Sequence, residues 1–249
     1  MHAFSVDNVA AKVADPLFVG QCAARGAEVG NKVVWKARAD EKVGVVARRG
    51  GRPAVIEYSE IDPTTAARVD AAGKLVFGAG NIANHLFSRA FIEKAAAASP
   101  ATLPYHLAKK KIPVADASGA RGAAPAANNG LKLEAFIFDA FTLAETQCVL
   151  EVRRADEFAP VKNAPGAATD SPDTARAQVL ALGAEWARAA GANVTGKHGV
   201  EVSPLVSYGG EGPELEDLLR GGVRVDASAG PVLIAPAKSA GGAARLVPS

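Results

Sequence analysis

Cysteine is nearly missing from this 249-residue chain: Cys22 and Cys148 stand far apart, with no CxxC pair and no cluster with histidine. That pattern argues against a structural zinc site and a disulfide framework, and it suits a reducing, cytoplasmic setting. Long apolar runs are missing too. None reaches the ~20 residues of a membrane span, and no charged region leads into an apolar one after Met1, so no secretory signal is legible. Excess charge of either sign is small, at a net +2. No basic stripe is interleaved with aromatics, so neither nucleic acid nor a membrane is expected as a partner. The one tight basic run, Lys109 to Lys111, reads as a solvated helix end. His2, His85, His106 and His198 lack metal-ligand spacing, and no Ser/His/Asp arrangement supports a covalent nucleophile.

What is present is a globular composition, with 49% of residues apolar, enough to bury a core. Met1 to Asn8 reads as a strand ending in a polar pair, as though the chain opened inside a strand. Asp15-Pro16 is a helix start, with Asp as N-cap and Pro at the first helical position, and Gly26 is its stop. Val33 to Trp35 reads as a strand. The runs 43–47 and 54–58, joined through Gly50-Gly51, predict a hairpin. Short helices are expected over 63–70 and 87–98, and helix is also expected from Phe136 toward Gln147. Residues 115–129 and 164–173 read as loops, and 149–152 as a strand. The helix over 173–190 is the most regular, with Val179, Leu182, Trp186 and Ala190 on one stripe. From Gly191 onward, short β runs (200–202, 205–208, 223–225, 231–234) are punctuated by glycine, and the last dozen residues are expected to fray. This predicts an α/β fold with a boundary near residue 192: residues 1–191 form the main part, and 192–249 a small β-rich appendage.

Ligands of such sheets bind at the carboxyl ends of strands, which directs attention to polar residues there. Asp7 follows the opening strand and suits Mg²⁺, whose few oxygen ligands are shared with substrate phosphates; a turn aspartate is the plain alternative. Glu57 and Tyr58 close the hairpin and could bind sugar hydroxyls, or simply face solvent. Gly78 to His85 (GAGNIANH) reads as a tight glycine turn beside two amides and an imidazole, allowing close approach of a ligand. Phe136 and Phe138 could wall a sugar ring or acetyl group, or be core. Lys162, after a proline turn, could neutralise phosphate charge, or be a surface lysine.

Taken in order, HAFSVDN (2–8), VADPLFVG (13–20), VGVVARRGG (43–51), VIEYSE (55–60), GAGNIANH (78–85), KKKIP (109–113), NGLKLEAFIFDAF (129–141), RRADEFAPVKNA (153–164), DTAR (173–176) and EVSPLVSYGGEG (201–212) resemble the eukaryotic UDP-N-acetylglucosamine (UDP-N-acetylhexosamine) pyrophosphorylases, from His2 to about Glu211. The resemblance implies a nucleotide-diphospho-sugar transferase fold: a Rossmann-like mixed sheet, here N-terminally incomplete, with a small C-terminal β-rich domain. It implies a uridylyltransferase that forms UDP-N-acetylglucosamine and pyrophosphate from UTP and N-acetylglucosamine 1-phosphate. Little covalent work falls to the protein in such a reaction. By motif match, Asp7 is the Mg²⁺ ligand and Ser5 lies beside the nucleotide. Gly44, Glu57, Tyr58 and Asn81 hold the sugar, and Phe136 and Phe138 line the N-acetyl pocket. Lys132 and Lys162 contact phosphates, Lys162 nearest the reacting centre. The family's glycine-rich GGxGTRLG-type loop, which would cradle the triphosphate, has no counterpart here, so the chain is expected to be part of a larger enzyme. A pyrophosphorylase acting on glucose or galactose 1-phosphate and a non-catalytic sugar-nucleotide-binding protein are the alternatives.

Overall fold

The computed structural model describes residues 1–98, 103–236 and 245–248. Its centre is a mixed six-stranded sheet in the order β4-β3-β5-β2-β8, with β1 also on β5. The strands are β1 (His2–Phe4), β2 (Val29–Trp35), β3 (Val45–Arg49), β4 (Arg52–Ile56), β5 (Ala79–Phe87) and β8 (Gln147–Glu151). The middle strand is β5. One edge pairs with β2 along its length, and the other with β3 at Gly80 and with β1 at Asn84–Leu86. All these pairings are antiparallel, whereas β2 and β8 run parallel.

Gly80 therefore belongs to the central strand and Gly78 stands immediately before it, so the polar residues of GAGNIANH lie on the strand and not beside a tight glycine turn. Neither Gly78 nor Gly80 has positive φ. They are glycine because a Cβ on Gly78 would lie 2.1 Å from Trp35 Nε1, and one on Gly80 2.9 Å from Val34 O. The left-handed residue is Ala83 (φ 51), inside a register shift where Lys32 pairs with Asn84 but Val33 pairs with Asn81. Such a bulge re-aims side chains, and here it lies where Ser5 N–H donates to Ala83 O at 3.0 Å.

Helix α1 (Pro16–Ala24) begins as expected: Asp15 caps it through Leu17 N at 3.0 Å, and Gly26 follows in the left-handed region. It lays Phe18 and Cys22 on the sheet against Cys148. The opposite face carries a second cluster, with Val29, Val33, Phe87, Phe91, Phe138 and Phe141 buried. Phe91 belongs to α3 (Arg89–Ala97), whose N-cap is Ser88. Helix α2 is shorter than expected, Pro63–Ala66. The segment after Phe136 forms a 3₁₀ helix, Ile137–Leu143, and does not continue to Gln147, which opens β8. Lys109 and Lys110 lie on a strand: β6 (His106–Lys110) pairs antiparallel with β7 (Gly130–Glu134) as a separate hairpin. The expected loop 115–129 connects these two strands.

The short helix α4 (Arg154–Glu157) leads to α5 (Pro172–Ala189). The deepest residues of α5 are small, Ala175, Gly183, Ala184 and Ala187, with Leu180 and Leu182; Val179 and Trp186 are half-buried. Close packing explains this, since a Cβ on Gly183 would lie 2.1 Å from Val200 O. Ala184 and Ala187 share a core with Val200, Leu215, Leu219, Val225 and Ile234, so the C-terminal strands pack directly on α5. Those strands are β9 (Asn193–Thr195), β10 (Val200–Val202), β11 (Arg224–Asp226), β12 (Val232–Ala235) and β13 (Arg245–Pro248), in the pairs β9–β11, β10–β12 and β12–β13. The run 205–208 is a turn and not a strand, and α6 (Pro213–Leu219) was not anticipated. Of the expected frayed end, 238–244 and 249 lie outside the described residues, while 245–248 are strand. Among the described residues no helix is long and apolar enough to cross a membrane.

A buried ion triad joins these parts. Lys32, fully buried on β2, lies 2.5 Å from Asp15 Oδ2 and also pairs with Glu157 Oε2. Burial pushes the Asp15 carboxyl up, but the Lys32 ammonium outweighs it and holds the acid below its usual range. Removing one member of such a cluster leaves uncompensated buried charge, at a cost of about 3–5 kcal/mol. Lys32→Met is expected to lose about that much stability in urea unfolding at pH 7. A loss under about 1 kcal/mol would show that the triad does not hold the fold.

Candidate functional site

The bulge in β5 divides the polar residues into two connected clusters. On one side, the segment after β1 runs beside residues 157–162. Asn8, 5% exposed, donates from Nδ2 to Glu157 O at 2.8 Å and accepts from Ala159 N at 2.8 Å. Val161 N donates to Asp7 O at 2.9 Å. These bonds place Lys162 beside Asp7, 155 positions away in sequence, with Nζ 3.0 Å from Oδ2. The other carboxylate oxygen accepts from Ser5 Oγ at 2.6 Å. Partial burial pushes the Asp7 carboxyl up, but the Ser5 hydroxyl and the Lys162 ammonium outweigh it, leaving the acid below its ordinary 3.8. The Lys162 side chain is 59% exposed. An ion pair this accessible is weak, so the ammonium is available to an arriving anion.

On the other side, Gly44 O accepts from Asn81 N at 2.7 Å. A Cβ on Gly44 would lie 2.9 Å from Glu57 Oε1. Glycine there leaves room for the carboxylate. Burial and the neighbouring Glu60 push the Glu57 carboxyl up. A cleft of about 360 Å³ opens here, lined by Glu57, Tyr58, Glu60, His106, Glu134 and Phe136. Along β5 the clusters meet, since Asn81 Oδ1 accepts from Ala83 N at 2.9 Å and Ala83 O accepts from Ser5 N. A continuous run of contacts thus leads from Glu57 through Gly44, Asn81, Ala83, Ser5 and Asp7 to Lys162.

Two sequence-derived candidates fall elsewhere. Phe138 is 8% exposed and stacks under Phe136 with centroids 4.9 Å apart. It packs in the core cluster, where the 3₁₀ turn points it at Phe141 and His85, and it supports Phe136, the ring that borders the cleft. Lys132, on β7, lies 3.1 Å from Glu134 Oε1 and is not joined to the Asp7–Lys162 pair.

Sequence reasoning passed over Asn8, Asp139 and His106. The only signal for them was position: Asn8 adjoins Asp7, and Asp139 adjoins Phe138. His106 had none, since its partners are 33 and 46 residues away. Among the described residues no three His, Cys, Asp or Glu side chains gather as a metal cluster.

A mixed sheet with helices on its faces and a carboxylate–lysine pair at a strand end defines the class: an α/β fold of the nucleotide-diphospho-sugar transferase type. Residues 1–178 match the UTP–glucose-1-phosphate uridylyltransferase family. A human UDP-N-acetylhexosamine pyrophosphorylase-like protein 1 is 42% identical over 233 residues, covering 86% of this chain and 46% of the relative. The UDP-N-acetylglucosamine pyrophosphorylase of Saccharomyces cerevisiae is 43% identical over 214 residues, covering 85% and 45%. The solved UDP-N-acetylglucosamine pyrophosphorylase of Trypanosoma brucei, in complex with an inhibitor, superposes with a TM-score of 0.71 at 34% identity, covering 88% and 47%. The chain belongs to the UTP–glucose-1-phosphate uridylyltransferase family, and it spans about half the length of these relatives.

Because the Asp7 acid lies below its unfolded value, its stabilising contribution is present above pH 3.8 and is lost as pH falls through the folded value. Ser5→Ala is expected to move the Asp7 titration, followed by carboxyl ¹³C NMR, upward, and the acid-unfolding midpoint with it. An unmoved titration would mean that the hydroxyl bond is not made in solution.

Proposed function

We propose that this chain supplies the sugar- and metal-binding part of a uridylyltransferase that joins UTP to N-acetylglucosamine 1-phosphate, releasing UDP-N-acetylglucosamine and pyrophosphate. Residues 1–191 carry this role, and 192–249 are a small appendage. The observation that supports it is the continuous run from Glu57 to Lys162 along the β5 bulge, with a carboxylate for hydroxyls at one end and an ammonium for phosphate at the other. The names of the yeast and trypanosomal relatives support the choice of sugar.

In this reading Glu57 accepts from sugar hydroxyls, Tyr58 and Asn81 border the ring, and Gly44 keeps the carboxylate in place. Phe136, half-buried at the cleft wall, meets the acetyl methyl. The sugar phosphate then points toward Lys162, which gives up part of its contact with Asp7. Lys132 reaches phosphate only if it leaves Glu134. Attack on the α-phosphorus expels pyrophosphate, and the protein's part is positioning and charge neutralisation. A single accessible carboxylate with a neighbouring hydroxyl fits Mg²⁺, which is commonly held by one or two carboxylates together with substrate phosphates. Asp7, with Ser5 beside it, would hold that ion, which offsets phosphate charge. Cytoplasmic residence accords with two buried, unpaired thiols.

Steady-state pyrophosphate release by the complete enzyme that contains this chain, with N-acetylglucosamine 1-phosphate and with glucose 1-phosphate over a Mg²⁺ titration, tests the proposal. Lys162→Ala is expected to lower kcat by about 10²–10³-fold, the scale for removing one transition-state charge stabiliser, with less than about a threefold change in sugar-phosphate KM. Gly44→Ala is expected to do the reverse, raising KM about tenfold as its Cβ displaces Glu57, a loss near 1.4 kcal/mol. Unchanged turnover in Lys162→Ala would remove the lysine from the mechanism. A preference for glucose 1-phosphate would overturn the substrate, and binding without pyrophosphate release would favour a non-catalytic role.

A further inference from the structure

His106 closes the cleft from the hairpin side. Its Nδ1 lies 2.5 Å from Glu60 Oε1 and its Nε2 2.9 Å from Asp139 Oδ1. Each ring nitrogen faces a carboxylate oxygen, a hydrogen-bond acceptor, so the geometry suits the doubly protonated ring. Its two partners each lead to one wall of the cleft. Glu60 N donates to Glu57 O at 2.9 Å, closing the turn that presents the Glu57 side chain. Asp139 Oδ2 accepts from Phe136 N at 2.8 Å, and Asp139 N donates to Phe136 O at 3.0 Å. The His106 ring itself lies against Phe136, with centroids 4.9 Å apart. One ring therefore ties the hydroxyl-binding carboxylate to the aromatic wall, across three segments remote in sequence.

We propose that His106 is the positioning residue that sets the gap between Glu57 and Phe136, and so makes the cleft prefer a sugar with an N-acetyl group to one with a bare hydroxyl. The inference rests on the sugar reading of this cleft. A gap set by one clamp tells the two sugars apart by whether an acetyl methyl fills it, and an apolar pocket of this kind discriminates by roughly 10–200-fold per missing group.

The clamp is sensitive to pH. The charged groups around the ring are Glu57 and Glu60 after β4, Asp139 on the 3₁₀ helix, Glu134 and Lys132 on β7, Lys109 and Lys110 on β6, and Arg49 on β3, whose Nη2 lies 3.8 Å from Glu60. Partial burial disfavours the charged ring, but the bonds to Asp139 and Glu60 outweigh it and raise the His106 pKa above its ordinary 6.5. The clamp is thus complete below pH 6.5 and is released as pH rises through the folded value.

The test is the ratio of dissociation constants for glucose 1-phosphate and N-acetylglucosamine 1-phosphate, measured by calorimetry on the full chain from pH 6 to 8.5. The ratio cancels titration of the phosphate group common to both ligands. The wild type is expected to discriminate at least tenfold at pH 6 and to lose that preference as pH rises. His106→Phe keeps the ring contact without the donors, so it is expected to discriminate poorly at every pH. Asp139→Asn is expected to move the wild-type loss to lower pH, because it removes one of the charges that hold the proton on the ring. If both variants keep the wild-type ratio and pH profile, the positioning role is wrong while the sugar site stands. If the wild type binds neither sugar phosphate, the sugar reading itself falls and this inference with it.

Discussion

The placement of the Asp7–Lys162 pair depends on a buried ammonium. Lys32 rises from the central sheet into a space with no exposure to water, where only two carboxylates compensate its charge. One of them caps α1 and the other ends α4, so the same charge that must be neutralised also fixes two segments against the sheet. Glu157 then presents its carbonyl to Asn8, and the paired backbones of 7–9 and 159–161 carry Lys162 to Asp7. Buried charge is expensive unless paired. Here that expense is coupled to geometry, because the triad is satisfied only when the segments that carry Asp7 and Lys162 are already in place.

The Glu57 end is arranged differently. Close approach does much of the positioning there, alongside the His106 pairs with Glu60 and Asp139. Gly44 admits the Glu57 carboxylate, Gly80 admits the Val34 carbonyl, and the left-handed Ala83 turns the strand so that Asn81 and Ser5 share one edge. A β-bulge with a non-glycine residue at positive φ is a strained element, of the kind that persists where surrounding structure over-determines it. Here β1, β2 and β3 all grip β5 around that point. The two ends thus differ in what disturbs them: the Lys162 end answers to charge alone, and the Glu57 end to added volume as well as to the charge on His106.

Local signals in the sequence were reliable where the physics is local. Asp15-Pro16, Gly26, the Gly50-Gly51 hairpin and the long helix from Pro172 were all legible, because caps, turns and periodicity act within a few residues. The strand through GAGNIANH was not legible. Its glycines answer to Trp35 and Val34 on a neighbouring strand, a tertiary demand that looks like turn chemistry in one dimension. The hairpin of β6 and β7 was missed for a similar reason: Lys109 and Lys110 look like a solvated helix end, and their pairing is with residues some twenty positions on. In the site, Asp7, Glu57, Asn81 and Lys162 were legible as candidates, chiefly through resemblance. Phe138 packs in the core beneath Phe136, a placement set by Phe141 and His85 that no local pattern announces. His106 could not be read at all, since both its partners are distant and neither forms a motif with it.

The central claim is that the Glu57 and Lys162 clusters form one site. A crystal structure of the chain with N-acetylglucosamine 1-phosphate and Mg²⁺ tests it most directly. The account predicts one ligand spanning both clusters, its ring hydroxyls on Glu57, its acetyl group on Phe136, and its phosphate within hydrogen-bond distance of Lys162 with a cation on Asp7. A ligand bound at one cluster with its phosphate turned away from Lys162, or bound elsewhere on the protein, would contradict it.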